Sequence, residues 1–130
     1  MIVLDASAAV EILLKTSASV PIVERILGRK VPLHAPYLID LEVAQILRRF
    51  VAREGLPSER ARQALEDLAR LPLDRFPHLS LLPRIWQLRE NLTAYDASYV
   101  ALAETLDATL LTRDGRIARA PGHAARVEVF

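Results

Sequence analysis

Four acidic side chains, Asp5, Glu42, Asp96 and Asp114, are spread over nearly the whole chain, each beside a pattern that marks a turn or a helix start. Carboxylates brought together repel: two unit charges about 4 Å apart cost roughly 4 kcal/mol at an effective dielectric near 20. A divalent cation reverses that sign. An oxygen-only donor set with no spaced histidine partner suits Mg²⁺ or Mn²⁺ better than zinc. Such ions serve phosphoryl chemistry by stabilising charge and activating water. If the fold makes these acids converge, phosphodiester hydrolysis is the chemistry they predict.

The surrounding elements predict that convergence. Asp5 closes the apolar run Ile2-Val3-Leu4 and opens a helix-like stretch over residues 6–14, and Asp114 closes Thr109-Leu110-Leu111-Thr112 just before Gly115. In an open parallel sheet the ligand crevice lies at the carboxyl ends of the strands, where both acids would sit. Glu42 has Leu38, Ile39 and Ile46 among its one-turn helical neighbours, so its carboxylate faces inward. An ionised group buried there needs a cation, a hydrogen-bond network or a raised pKa, and an arginine from elsewhere is one candidate partner. Plain structural roles are open as well. Asp5 and Asp114 fit helix N-caps, and Asp96 fits the acidic position of a Thr93-x-x-Asp96 capping box.

Hydropathy periodicity predicts strands over 2–5, 31–35, 73–76, 109–112 and 126–130. It predicts helices over 6–14, over 20–27 with Val23, Ile26 and Leu27 on one side, and from Pro36 to about Arg53, ending at Gly55. Further helices run from a Ser58 cap to near Pro72, then over 82–90, 93–106 and 115–119. Strands alternating with helices imply an α/β fold with a mainly parallel central sheet covered on both faces.

Composition narrows the function classes. With 130 residues the chain is expected to be a single domain. A net charge of +1 excludes a uniformly basic nucleic-acid binder and leaves local patches open. There is no cysteine, which excludes disulfides and thiolate zinc. No signal-like start or membrane-length apolar run is present, so a cytoplasmic protein is expected. Lys15 and Lys30 are the only lysines; Arg48, Arg49 and Arg53 follow Glu42, and Arg113, Arg116 and Arg119 surround Asp114. Either arginine group suits RNA phosphates or a solvated helix face. His34 reads as a packing or surface residue and Trp86 as packing; Tyr95 and Tyr99, one helical turn apart, read as core or dimer packing, with stacking on bases the alternative.

The segments Ile2-Val3-Leu4-Asp5-Ala6-Ser7, Leu41-Glu42-Val43-Ala44, Tyr95-Asp96-Ala97-Ser98-Tyr99-Val100-Ala101-Leu102-Ala103 and Leu110-Leu111-Thr112-Arg113-Asp114 occur in the order of the motifs of PIN-domain ribonucleases. The chain resembles that family over its whole length, and more narrowly VapC toxins of toxin–antitoxin operons. The resemblance implies a single PIN domain over 1–130, a three-layer α/β/α sandwich. It implies Asp5 and Asp96 as principal metal ligands, with Glu42 and Asp114 completing the pocket directly or through water. Ser7 would lie near the metal, and Thr112 would place the Asp114 turn. It further implies Mg²⁺- or Mn²⁺-assisted attack of water on RNA, a VapB-like antitoxin and a homodimer. The alternative is a catalytically silent PIN-like module acting through its partner; four intact acids weigh against it. A phosphoacceptor receiver domain fits less well, because Asp5 stands alone and no lysine follows Lys30.

Overall fold

The apolar run at the start of the chain becomes the middle of a sheet. In a computed structural model describing residues 1–130, β1 (Ile2–Leu4) lies between β2 (Leu33–Pro36) and β4 (Thr109–Thr112). β3 (Leu73–Phe76) and β5 (Arg126–Val129) form the edges, giving the order β3-β2-β1-β4-β5 with every pairing parallel. Residues of β1 are buried on both faces, as a continuous apolar run in a parallel sheet should be. The register sets Val3 opposite His34 and Leu110, and the Asp5 N–H extends the ladder by donating to Leu111 O at 3.2 Å.

Seven helices fill the crossovers: α1 (Ala6–Leu14), α2 (Ser19–Leu27), α3 (Leu38–Arg53), α4 (Ser58–Arg70), α5 (Leu82–Gln87), α6 (Ala94–Leu106) and α7 (Gly115–Arg119). Parallel crossovers are right-handed. The steps β1 to β2 to β3 move one way across the sheet and put α1–α4 on one face. The return from β3 to β4, and the onward step to β5, put α5–α7 on the other. Thirty-two buried residues form one hydrophobic core through these layers. No single helix is long and apolar enough to cross a membrane.

Several boundaries differ from the sequence expectations for identifiable reasons. Pro36 ends β2 instead of starting α3; β1 pairs with β2 only as far as His34, so no ladder bond is asked of the missing N–H. Val31 and Pro32 precede the strand. Ser58 is the first helical residue of α4 and Pro57 takes the cap, with the Ala61 N–H donating to Pro57 O at 3.1 Å. On α2 the buried face carries Ser19 and Ile22, while Leu27 is exposed. Five residues from Ile22 is about 140° around a helix, which turns Leu27 away. A short 3₁₀ turn, Leu79–Leu81, leads into α5, which stops at Gln87. Trp86 does not pack in the core: it is 68% exposed, with the Arg89 guanidinium 4.7 Å over its ring. Gly55 has φ +72° just past the C-cap of α3, and an added Cβ would meet nothing within 4 Å, so backbone conformation alone favours glycine there.

Candidate active site

Topology brings the four acids to one place. The chain runs from β1 toward β3 on one side and from β4 toward β5 on the other, so the switch point lies between the adjacent β1 and β4. Asp5 directly follows β1 and Asp114 closely follows β4. Helix α3 starts at this same carboxyl edge, after β2, with Glu42 in its second turn. Helix α6 runs back toward the start of β4, so its first turn, carrying Asp96, also lies at this edge. Asp5, Glu42, Asp96 and Asp114 all line one cleft of about 350 Å³, together with Ser7, Gln45, Ile46, Arg49, Tyr99 and Arg116.

Asp5 is held tightly. It caps α1, with Oδ1 accepting from the Ala8 N–H at 3.0 Å and from Ser7 Oγ at 2.6 Å, while Oδ2 accepts from the Thr112 hydroxyl. Each hydroxyl then accepts a backbone N–H from the turn after β4: Arg113 N–H to Ser7 Oγ at 2.9 Å, and Asp114 N–H to Thr112 Oγ1 at 3.0 Å. Ser7 and Thr112 thereby stitch the ends of β1 and β4 together around one carboxylate. Burial drives the Asp5 pKa above the ordinary value, aided by the Asp96 charge, and these hydrogen bonds only partly counter it.

The other acids differ in what restrains them. Glu42 is half-buried and its Oε1 has no aligned hydrogen-bond partner. Burial raises its pKa, with added repulsion from Asp96 and Asp5; the nearby Tyr99 hydroxyl, not an arginine, opposes the shift. Asp96 is also raised, by burial and then by Asp114, against the smaller effects of Thr93 and Arg116. Thr93 caps α6, accepting from the Asp96 N–H at 3.1 Å. Asp114 caps α7 through the Arg116 N–H at 2.9 Å, and the Arg116 guanidinium grips the same carboxylate, with Nη2 2.7 Å from Oδ2. That pairing holds the Asp114 pKa below the ordinary range. Capping and pocket-lining thus coexist in Asp5 and Asp114: one carboxylate oxygen serves the helix while the side chain faces the cleft.

The donor chemistry fits a hard divalent cation: oxygens only, three of the four carboxyls with raised pKa values, and one buried carboxylate oxygen without a partner. In the arrangement seen here no trio of these acids is drawn close enough to chelate one ion. The Arg116 fork on Asp114 is one physical reason, since it directs that carboxylate to a cation already in the chain.

Tyr99 is a cleft residue that a packing reading overlooks. It is 1% exposed and belongs to the core, yet its hydroxyl faces Glu42, Asp5 and Asp96. Its spacing of three from Asp96 on α6 was the available signal, because such residues share a helix face. Arg49 is the member of its arginine group that reaches the cleft. Arg113 points elsewhere, donating to Phe130 O at 2.7 Å. His34 is buried against Phe76, ring centroids 5.4 Å apart, in keeping with a packing role.

A five-stranded parallel sheet with an acidic cleft at its switch point is the setting in which relatives become informative. The PIN domain family matches residues 2–123. Ribonuclease VapC9 of Mycobacterium tuberculosis is 46% identical over 117 residues, covering 90% of this chain and 88% of its own. Ribonuclease VapC1 of the same organism is 43% identical over 128 residues, covering 98% and 96%. In fold, the chain resembles VapBC2 of Rickettsia felis, solved bound to a DNA fragment from its promoter, with a TM-score of 0.70, 16% identity and coverage of 99% and 98%. The chain belongs to the PIN-domain family, within its VapC branch.

Proposed function

We propose that this protein is a divalent-metal-dependent endoribonuclease, the toxin of a VapBC-type toxin–antitoxin pair, built as one PIN domain. The observation that carries the reading is the convergence of Asp5, Glu42, Asp96 and Asp114 on one cleft at the switch point, in a chain whose relatives are named ribonucleases. Asp5 and Asp96 would hold Mg²⁺ or Mn²⁺, with Glu42 and Asp114 completing the site directly or through water. When bound, the cation would neutralise the clustered carboxylates, stabilise charge on the phosphodiester and activate water.

The chain's own groups prepare the rest. Ser7, Thr112 and the Ala8 N–H orient Asp5 as an acceptor, filling Oδ1 and leaving lone-pair capacity on Oδ2. Arg49 flanks the acids and offers a guanidinium fork to RNA phosphates, while the Arg116 fork is taken up by Asp114. The cytoplasm is the expected compartment, and a homodimer and a VapB-like antitoxin are the expected assembly partners. The antitoxin would inhibit by presenting an arginine to the acidic cleft, in competition with the metal. Replacing that arginine should weaken inhibition.

The deciding experiment measures RNA cleavage by nuclease-free protein with Mg²⁺, with Mn²⁺ and with excess chelator, alongside Asp5→Asn and Asp96→Asn. Cleavage should require the cation and vanish in both folded variants. Equal cleavage in excess chelator would overturn the metal mechanism.

A further inference from the structure

Two polar atoms in the cleft lack aligned partners although protein surrounds them: Glu42 Oε1 and the Tyr99 hydroxyl. They belong to α3 and α6, helices on opposite faces of the sheet, and both residues line the cleft at its carboxyl edge. A phenylalanine at position 99 would fill the same core space without burying a hydroxyl, so the oxygen needs an explanation beyond packing.

Among the carboxylates that act on Tyr99, Asp5 already receives Ser7, Thr112 and the Ala8 N–H. Asp96 is more open than Asp5, and Glu42 is the one of the three with a buried oxygen that nothing partners. A phenol ordinarily titrates at about 10, so at neutral pH the hydroxyl carries its proton. It therefore has one proton to donate, and Glu42 Oε1 is the buried carboxylate oxygen that receives none.

We propose that Tyr99 is a positioning residue, whose hydroxyl donates to Glu42 Oε1 and so directs the other carboxylate oxygen into the cleft for a divalent cation. This rests on the metal-site reading above. Such a group acts through a ligand and touches neither metal nor RNA. Losing an outer-shell hydrogen bond of this kind typically weakens metal binding about 10- to 100-fold. It also predicts little loss of stability without metal, since the hydroxyl is under-satisfied in that state.

The test uses the full chain without RNA. Mg²⁺ affinity is measured by calorimetric titration for wild type, Tyr99→Phe, Glu42→Gln and the double variant, with melting of each metal-free protein recorded in parallel. Tyr99→Phe should melt at or above the wild-type temperature and bind Mg²⁺ about 10- to 100-fold more weakly. In the Glu42→Gln background the same change should alter affinity by less than about twofold, because it acts through Glu42. Its RNA cleavage should recover at high Mg²⁺. Wild-type-like affinity in Tyr99→Phe, or an equal loss in both backgrounds, would overturn the role assigned to Tyr99 and leave the metal site standing. Absence of Mg²⁺ binding by the wild type would overturn both.

Discussion

Asp40, Glu104 and Glu128 each meet an arginine fork from another element: Arg75 of β3, Arg84 of α5 and Arg25 of α2, with closest contacts of 2.8, 2.9 and 2.8 Å. Asp5, Glu42 and Asp96 meet hydroxyls, a backbone N–H and one another. Burial pushes the Glu104 pKa up, but hydrogen bonds from Arg84 and the Ala124 N–H outweigh it and the net value falls. For Asp5, Glu42 and Asp96 burial meets mutual repulsion and the net values rise, while Asp114, paired with Arg116, follows the peripheral pattern. The same side-chain chemistry thus ties helices and strands together around the periphery and stores unfavourable charge at the sheet edge. Peripheral carboxylates serve the fold, and the cleft carboxylates are arranged for something that binds them.

The sharpest test of that contrast compares Asp96→Asn with Asp40→Asn. Cation stabilisation of a phosphoryl reaction is worth several kcal/mol, so losing Asp96 should cut RNA cleavage by about a thousandfold or more while circular dichroism stays native. Asp40→Asn should cleave RNA normally at saturating Mg²⁺. Equal damage from the two would erase the distinction.

Next in size is a stability effect. Arg75 donates to Asp40 and to the carbonyls of Leu73 and Leu68, both at 3.2 Å. Arg75→Met should cost about 2 kcal/mol in denaturant unfolding, with cleavage per folded molecule unchanged.

Acids with raised and with lowered pKa values should also act on stability with opposite signs. A raised carboxyl pKa means the folded state holds its proton more tightly than the unfolded chain, so Asp5, Glu42 and Asp96 lower stability at neutral pH. That loss is recovered as pH falls through their raised values toward the ordinary 3.8 and 4.5. Glu104 and Asp114 have lowered values; their stabilisation, present above the ordinary range, disappears as pH falls through the folded values. Metal-free melting should therefore rise from neutral pH toward the carboxylate range and fall below it. Saturating Mg²⁺ should abolish the initial rise, because binding requires ionised ligands. Calorimetric melting across pH, with and without the ion, checks both limbs.

The smallest expected effect comes from Glu42→Gln, which removes one repelling charge and keeps the shape. Metal-free melting should hold or gain up to about 3 °C, while activity drops. A large loss would assign Glu42 to a structural hydrogen bond.

The acids were legible in the sequence because each sits at a local signal: a strand end, a cap, or a charge on an apolar stripe. Strand β3 and helix α1 fall on the residues their periodicity marks. What escaped depends on neighbours distant in sequence. Pro36 extends β2 because β3 runs alongside it, and Trp86 stays exposed because nothing in this chain covers that side of α5. Tyr99 looks like an ordinary core aromatic until Glu42 arrives from the opposite layer. Arg116 looks like one more surface cation, and only the turn of α7 shows which carboxylate it holds.

The hydroxyl clamp on Asp5 bears on timing. Its Thr112 donor lies 107 residues downstream, in the same strand whose Leu111 carbonyl receives the Asp5 N–H. A growing chain carries Asp5 long before the clamp, Asp114 and the β1–β4 seam can form, because their other halves lie more than a hundred residues later. Closing so long a loop is also an intrinsically late event in folding. The acid made first is thus left unclamped until residues more than a hundred positions later have been made and folded against it.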